Sequence, residues 1–454
     1  MKNKSIFIEL KDKFRGIFTV SFIDAIYKSF LYKDLLRTLF PSVLKRYIKD
    51  TRTKQERYIE KMKQQGKIRV AFFIQTPSIW KYDTLFRLMQ QSPKFEPIIV
   101  IVPYNVHLNY SKEECFNVMK KTEEFVEEKN YEYISSYDKD KKCWRNIKKE
   151  INPNIIFFTK PYKDTLPAYY IYNFRERLTC YIPYSTLIIG GSYRFTVNLP
   201  LHNLVSHLFV ETDFHKKISG EYSEVKGENI SVIGSIGQES IIDPTYLPVD
   251  PWKPQSQRKK RIIWAPHHTV DYLFNCSNFL RYCDFMIEIA KRYEDRIQMA
   301  FKPHPVLKFR LINIWGKEKT DEYYEQWERL PNTQIEEGYY NDLFSTSDSM
   351  IHDSISFTFE YLHTLKPVLY TVRDERVKEQ WNPLGTEVFD LHYHGYSESD
   401  IENFIENVIF KENDPMAEDR KRFYDKFLYP KDNIMPSKKI MQILEEELDH
   451  SDSI

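Results

Sequence analysis

Residues 347–370, SDSMIHDSISFTFEYLHTLKPVLY, decide how the rest of the chain is read. They predict a short strand over 349–352, a polar turn at Asp353, Ser354 and Ser356, a helix over 357–364 and a second strand over 367–371. Two parallel strands need a crossover long enough to hold a helix, so this order is one repeat of a parallel α/β sheet. A strand that ends in hydroxyl residues and feeds a helix also leaves backbone N–H groups unpaired, and the helix dipole favours an anion there. The same residues would serve as an ordinary N-cap, with Asp353 and Ser354 at the helix start and Ser356 in water. The neighbouring loops weigh between the two readings.

Outward from this stretch the alternation recurs. Strands at 260–265, 298–302 and 333–336 and helices at 276–293 and 320–329 precede it, and a helix at 399–409 follows, so residues 259–436 read as one Rossmann-like domain. Farther upstream, KIRVAFFIQ (67–75) is a largely apolar strand of the buried parallel type. Helices at 82–91, 113–129 and 143–151 then alternate with strands at 95–103, 131–135 and 154–159. Further strands at 178–183, 206–211 and 230–233 complete a domain over 67–235. Residues 236–258 carry Pro244, Pro248, Pro251 and Pro254 with little periodicity and read as a linker or hinge. Residues 437–454 read as a C-terminal helix and tail packing back across the first domain. Right-handed crossovers place helices on both faces of each sheet. The fold class is therefore α/β, two doubly wound Rossmann-like domains facing a cleft, with an N-terminal helical extension over residues 1–66.

That extension is amphipathic and basic. Phe14, Ile17, Phe18, Phe22, Ile26, Phe30 and Leu31 recur at roughly helical spacing with Lys and Arg between them. Residues 1–67 hold 17 Lys or Arg against 7 Asp or Glu, a local charge of +10 in a chain whose net charge is +1, which leaves the remainder at −9. Two readings stand: an interfacial helix against anionic lipid, or a helix packed on the first domain or on another subunit. Residues 52–67 are polar nearly all round and read as an exposed helix or linker.

The totals exclude several classes. A net charge of +1 argues against a globally basic nucleic-acid binder. Five scattered cysteines without a CxxC pair fit free thiols in a reducing compartment. The apolar run 6–10 is broken by Lys11, Asp12 and Lys13, too soon for a signal peptide, and no window reaches the ~18 uncharged apolar residues of a spanning helix. The expected location is cytoplasmic, at most peripheral on the inner face of the cell membrane. With only 12 glycines, the chain carries no GxGxxG, GxxxxGK[ST] or HExxH motif.

Three loops of the second domain follow strands and carry polar chemistry: WAPHHTV (264–270), FKPHPV (301–306) and the opening stretch. In an open parallel sheet the loops beyond the strand C-termini share one rim, so all three converge there. Lys302 and His304 beside a helix start suit a diphosphate, which needs positive charge and fixed donors. His304 could instead cap local carbonyls, and one of His267 and His268 could point inward. Glu360 is placed to meet a ribose hydroxyl or a buried structural partner, and His352, within its strand, to be core or rim. His267, His268, His304 and Asp353 match no metal-ligand spacing, so no metal is expected.

WAPHH, KPHP, SD-x-x-IHDSISF-x-x-EYL and KPV-x-Y, in that order, resemble the second domain of the CDP-glycerol glycerophosphotransferase family, which primes and polymerises teichoic acids and some capsules. The matching residues include Pro266, His267, Lys302 to Pro305, Asp348, Asp353, Ser354 and Ser356. The resemblance covers residues 260–372, and the first domain in outline, through Pro161, Tyr162 and the run 180–184. It implies a GT-B fold, a CDP-linked polyol donor, no cofactor or catalytic metal, and transfer of a polyol phosphate to a hydroxyl of a polymer or lipid-linked acceptor with release of CMP. On that model His304, with His267 and His268, serves catalysis; Lys302, Asp353, Ser354, Ser356 and Glu360 hold the donor. The family's Trp-His-Gly-Thr-Pro loop is absent, and YIPYST (181–186) stands in its place, which leaves Tyr184 on the acceptor side and the general base open among Tyr184, His202, His207 and His267. A GT-B glycosyltransferase using a nucleotide sugar and a non-catalytic binding subunit are the two rival readings.

Overall fold

Apolar strands alternating with amphipathic helices form two parallel sheets in the computed structural model, which describes residues 41–104, 112–191, 193–270 and 276–449. The chain divides into two compact units. The first takes residues through 184, 193–232 and those from 438 on; the second takes 185–192 and 233–437.

In the first unit the strands are β1 (Ile68–Ile74), β2 (Phe95–Ile101), β3 (Tyr133–Ser135), β4 (Tyr137–Asp138), β5 (Cys143–Trp144), β6 (Ile155–Phe158), β7 (Leu178–Tyr181), β8 (His207–Val210) and β9 (Ile230–Val232). Seven of them form one sheet in the order β3-β2-β1-β6-β7-β8-β9, every pair parallel. Both faces are covered, which is why β1 and β6 are apolar almost without alternation. Phe72 of β1 stacks on Phe157 of β6 with ring centroids 4.6 Å apart.

Two expectations fail here for local reasons. The helix predicted over 143–151 shrinks to Ile147–Glu150, because Cys143 and Trp144 pair antiparallel with Asp138 and Tyr137. The Asp138 carboxylate accepts the N–H groups of Asp140 and Lys141 and orders that turn, while the Asn146 side chain caps the helix by accepting from the Lys149 N–H. Of residues 52–67, expected as an exposed helix or linker, 52–62 form the end of the helix Pro41–Met62, but not an exposed one, since Gln55, Ile59 and Met62 are buried. The helix docks through Leu44, Tyr47 and Ile48 in the first unit's core. Its polar residues dock too: Arg52 donates to the Val205 carbonyl at 2.5 Å and Gln55 to the Leu204 carbonyl at 2.8 Å. Apolar periodicity cannot reveal a face held by hydrogen bonds to backbone. The Phe14 to Leu31 pattern lies outside the described residues.

The helix Pro436–Leu448 buries Ile440, Leu444 and Leu448, and its Glu447 carboxylate sits 2.6 Å from His207 Nε2 in the first unit. Among the described residues no helix is long and apolar enough to cross a membrane. All five cysteines are free.

The second unit holds β10 (Lys260–Ala265), β11 (Ile297–Phe301), β12 (Thr333–Ile335), β13 (Ser349–His352), β14 (Val368–Thr371) and β15 (Tyr393–Gly395), in the order β12-β11-β10-β13-β14-β15, again all parallel. Trp264, Phe279, Phe301 and Trp327 pack at its centre, with Phe301 and Trp327 centroids 5.0 Å apart. The Pro-rich stretch is anchored to this unit by Trp252, which is buried and donates its indole N–H to Thr346 Oγ1 at 3.0 Å. In each sheet the chain fills one side, then crosses to the other: between β1 and β6 in the first and between β10 and β13 in the second. Open α/β sheets bind ligands beyond the strand C-termini at this reversal.

Residues 185–192 run beside the helix Pro383–Phe389 of the second unit. The Ile188 carbonyl accepts the Asn382 N–H at 2.9 Å, and the Asn382 side chain donates to the Leu187 carbonyl at 2.8 Å. A Cβ on Gly385 would lie 2.0 Å from the Ile188 carbonyl oxygen, backbone against backbone. Gly385→Ala is therefore expected to destabilise the fold by roughly 2–4 kcal/mol. An unchanged midpoint in thermal or denaturant melts would show that this contact yields freely.

Candidate functional site

Three loops at the second sheet's reversal meet through backbone hydrogen bonds. The Lys302 N–H donates to the Trp264 carbonyl at 2.8 Å, and the His304 N–H to the Pro266 carbonyl at 3.1 Å, which ties the loop after β11 to the loop after β10. Asp353, first residue after β13, is 2% exposed, and its two carboxylate oxygens accept the backbone N–H groups of His267 and Asn278, each at 2.5 Å. Asp353 thus organises the loops rather than presenting a carboxylate to solvent. Burial pushes its carboxyl up to about 7, against the pull of those two donors.

This frame brings together His267, His268 and His304. Ring centroids lie 4.3 Å apart for His267 and His268, 5.0 Å for His267 and His304, and 4.1 Å for His268 and His304. One ring nitrogen from each falls within 4.8 Å of the others, a spacing that could hold a metal ion. The tautomer of His304 opposes a metal. Its Nδ1 accepts the Val306 N–H at 3.2 Å, so the neutral ring carries its proton on Nε2. A metal-ligating histidine has the reverse arrangement, with the second nitrogen donating and the ligating one bare. His304 is built as an Nε2–H donor, which suits an anion. Burial, then His268, His267 and Lys302, push the His304 imidazole down to about 2; burial and then His268 push His267 down to about 3. Both rings are neutral at pH 7. The Nδ1 of His267 lies 3.1 Å from Thr269 Oγ1 and 3.7 Å from Cys276 Sγ.

Lys302 is buried, and its ammonium lies 3.2 Å from the Gly338 carbonyl and 5.1 Å from the centre of the Tyr340 ring. Burial lowers it to about 8, opposed by Glu336, Glu337 and Glu360. Glu360, also buried, accepts the Tyr340 hydroxyl at 2.5 Å. Ser354 stands at the N-cap of the helix Ile355–Glu360, but its hydroxyl makes no cap; its N–H lies 3.1 Å from His352 Nδ1. Ser356 is half-buried on the first turn. His352 is fully buried in β13, as core.

Tyr184 lies in the first unit, its ring 6.2 Å from that of Tyr162. Burial, and then Tyr184, push the Tyr162 phenol up. His207 is held by Glu447, and His202 is buried with its ring 5.4 Å from that of Tyr181. Sequence reasoning overlooked Tyr340, Thr269 and Cys276. Tyr340 could have been found, since it follows β12 onto the same rim; Thr269 and Cys276 act only through the folded loop.

Acid stability follows from these burials. His267, His304 and His352 (pushed down to about 3 by burial) stay neutral in the fold while the unfolded chain protonates them below about pH 6.5, so their contribution is lost as pH falls from there toward 3. Asp353, with its folded value raised, opposes this by one proton between about pH 4 and 7. For these four groups the balance is about two protons, or roughly 3 kcal/mol of stability lost per pH unit near pH 5, and His392, pushed well down by burial, adds to the loss. Urea unfolding at pH 6.5, 5.5 and 4.5 measures this slope, and a flat profile would mean that the imidazoles charge within the fold.

No protein-family model matches the chain, and no curated protein matches it in sequence. In three dimensions it is similar to solved structures at low identity. A UDP-N-acetylglucosamine 2-epimerase superposes with a TM-score of 0.50 at 14% identity, over 85% of this chain and 96% of that one. A variant of the wall teichoic acid polymerase TagF superposes with a TM-score of 0.56 at 13% identity, over 99% of this chain and 98% of that one. At such identity the likeness is one of fold: two doubly wound α/β units of GT-B-like architecture, shared with a teichoic acid polymerase over nearly the whole chain.

Proposed function

We propose that this protein is a CDP-alcohol phosphotransferase of the glycerophosphotransferase type, moving a polyol phosphate from a CDP-linked donor to a hydroxyl of a cell-surface polymer or lipid-linked acceptor. The supporting observation is the His304 tautomer within the three-histidine cluster. A fixed, neutral Nε2–H, with Lys302 on the same loop, is a donor set for a diphosphate rather than a metal. In this reading His304, His267 and His268 contact the donor diphosphate, with Ser354 and Ser356 beside them. Lys302 offsets its charge, Asp353 positions the histidine loop, and the Glu360–Tyr340 pair borders the donor. The acceptor oxygen bonds to the polyol-bearing phosphorus while the bond from that phosphorus to the bridging oxygen breaks; CMP leaves, and the hydroxyl proton passes to a base. Similarity to a teichoic acid polymerase fold and the motif order over 260–372 support the donor class.

Calorimetric titration with CDP, UDP, GDP and their alcohol and sugar conjugates tests the reading. Preferential binding of CDP-glycerol-like donors is expected. Tight binding of UDP-sugars with none of CDP would replace the proposal with a glycosyltransferase, and indifference to every nucleotide would leave a non-catalytic binding subunit.

The proposed place of action is the inner face of the cell membrane. Since the helix Pro41–Met62 spends its apolar face on the first unit, membrane contact falls to residues 1–40, with 8 Lys or Arg against 4 Asp or Glu. Deleting residues 1–40 should lower binding to vesicles containing anionic lipid; equal binding would assign that segment to protein contacts.

A further inference from the structure

The tautomer of a second ring in the histidine cluster can be read from its neighbours. His267 is buried, and its Nδ1 lies 3.1 Å from Thr269 Oγ1 and 3.7 Å from Cys276 Sγ. The other contacts of the hydroxyl decide which atom carries the proton. Thr269 Oγ1 accepts the backbone N–H of Cys276 at 3.2 Å and lies 3.3 Å from Cys276 Sγ. A hydroxyl has one proton to donate, and its choices here are an imidazole nitrogen and a sulfur. Sulfur is a weak acceptor, so the proton goes to the bare nitrogen of the neutral ring. The Cys276 thiol, pushed up to about 11 by burial, keeps its own proton and adds a weak donor on the same side. Nδ1 therefore faces donors, and the neutral His267 ring carries its proton on Nε2.

We propose that Thr269 is a positioning residue, which fixes His267 as a second Nε2–H donor beside His304 so that the cluster offers two neutral donors to a diphosphate. The two rings are 5.0 Å apart, and donors so placed can serve two oxygens of one ligand while Lys302 supplies the charge. The Asp353 carboxylate holds the His267 backbone N–H, so backbone and ring are fixed by separate groups. The diphosphate in this proposal rests on the donor reading above; the tautomer does not.

NMR of the imidazole nitrogens in the full chain, ¹⁵N-labelled at histidine and without ligand at pH 7, reads the tautomer, with the His267 signals identified by their loss in His267→Gln. The proton is expected on Nε2 in the wild type, on a mixture of both nitrogens in Thr269→Val, which is nearly isosteric but lacks the hydroxyl, and on Nε2 again in Thr269→Ser. Calorimetric affinity for inorganic diphosphate is expected to fall about fivefold in Thr269→Val and to stay within about twofold of wild type in Thr269→Ser. Thermal melts separate lost binding from lost fold. A wild-type proton on Nδ1, an unchanged tautomer in Thr269→Val, or diphosphate affinity that ignores Thr269→Val would each overturn the proposal, and the first of these needs no variant to fold. Diphosphate affinity that follows the tautomer in a protein indifferent to every CDP-linked donor would support the role of Thr269 and overturn the proposed donor alone.

Discussion

Replacing His304 with alanine is expected to lower donor turnover by about 10²–10³-fold, the loss seen when one preorganised donor to a developing anion is removed. The Val306 N–H occupies Nδ1, so the neutral ring carries its proton on Nε2, and burial pushes the imidazole down to about 2. In the proposed role the neutral ring contributes a fixed hydrogen bond to the diphosphate. His304→Gln, which keeps a side-chain N–H but not the Val306 contact, should recover part of the loss. CMP release and calorimetric affinity for the CDP-linked donor measure the effect. Both variants at wild-type levels would show that the diphosphate lies elsewhere, whatever nucleotide the protein prefers.

Asp353→Ala is expected to cost roughly 2–5 kcal/mol of stability, because it leaves the buried N–H groups of His267 and Asn278 without acceptors at about 1–3 kcal/mol each. Relief from burying the carboxylate offsets part of this near neutrality. With the folded value raised to about 7, the stability that the carboxyl contributes is fully present below about pH 4 and declines as pH rises toward 7. The difference between wild type and Asp353→Ala should therefore narrow over that range. Asp353→Asn keeps one acceptor and should lose about half as much. Denaturant melts measure the cost, and donor affinity should fall alongside because the His267 loop loses its anchor. A stable Asp353→Ala protein with weakened donor binding would instead make Asp353 a direct ligand group.

The strand and helix order of both units was readable from apolar periodicity because a doubly covered parallel sheet demands continuous apolar strands. β13 was read at its observed bounds, 349–352, and β10 likewise. Reading failed where polar groups made the structure: the Asn146 cap and the β4–β5 pair in place of a helix, and Arg52 and Gln55 docking on backbone carbonyls. For Arg52 and Gln55, residue spacing is silent about partners 153 and 149 positions away.

At the site, the sequence by itself placed His267, His268, Lys302, His304, Asp353 and Ser354 beyond the C-termini of three strands, because strand ends in a parallel sheet share one rim. Only the tertiary structure decided what each does. It turned Asp353 toward two backbone N–H groups, chose the His304 tautomer through Val306, and set Lys302 under Tyr340. A strand end is a property of local pattern, whereas protonation and hydrogen-bond role depend on groups brought within about 3 Å by folding.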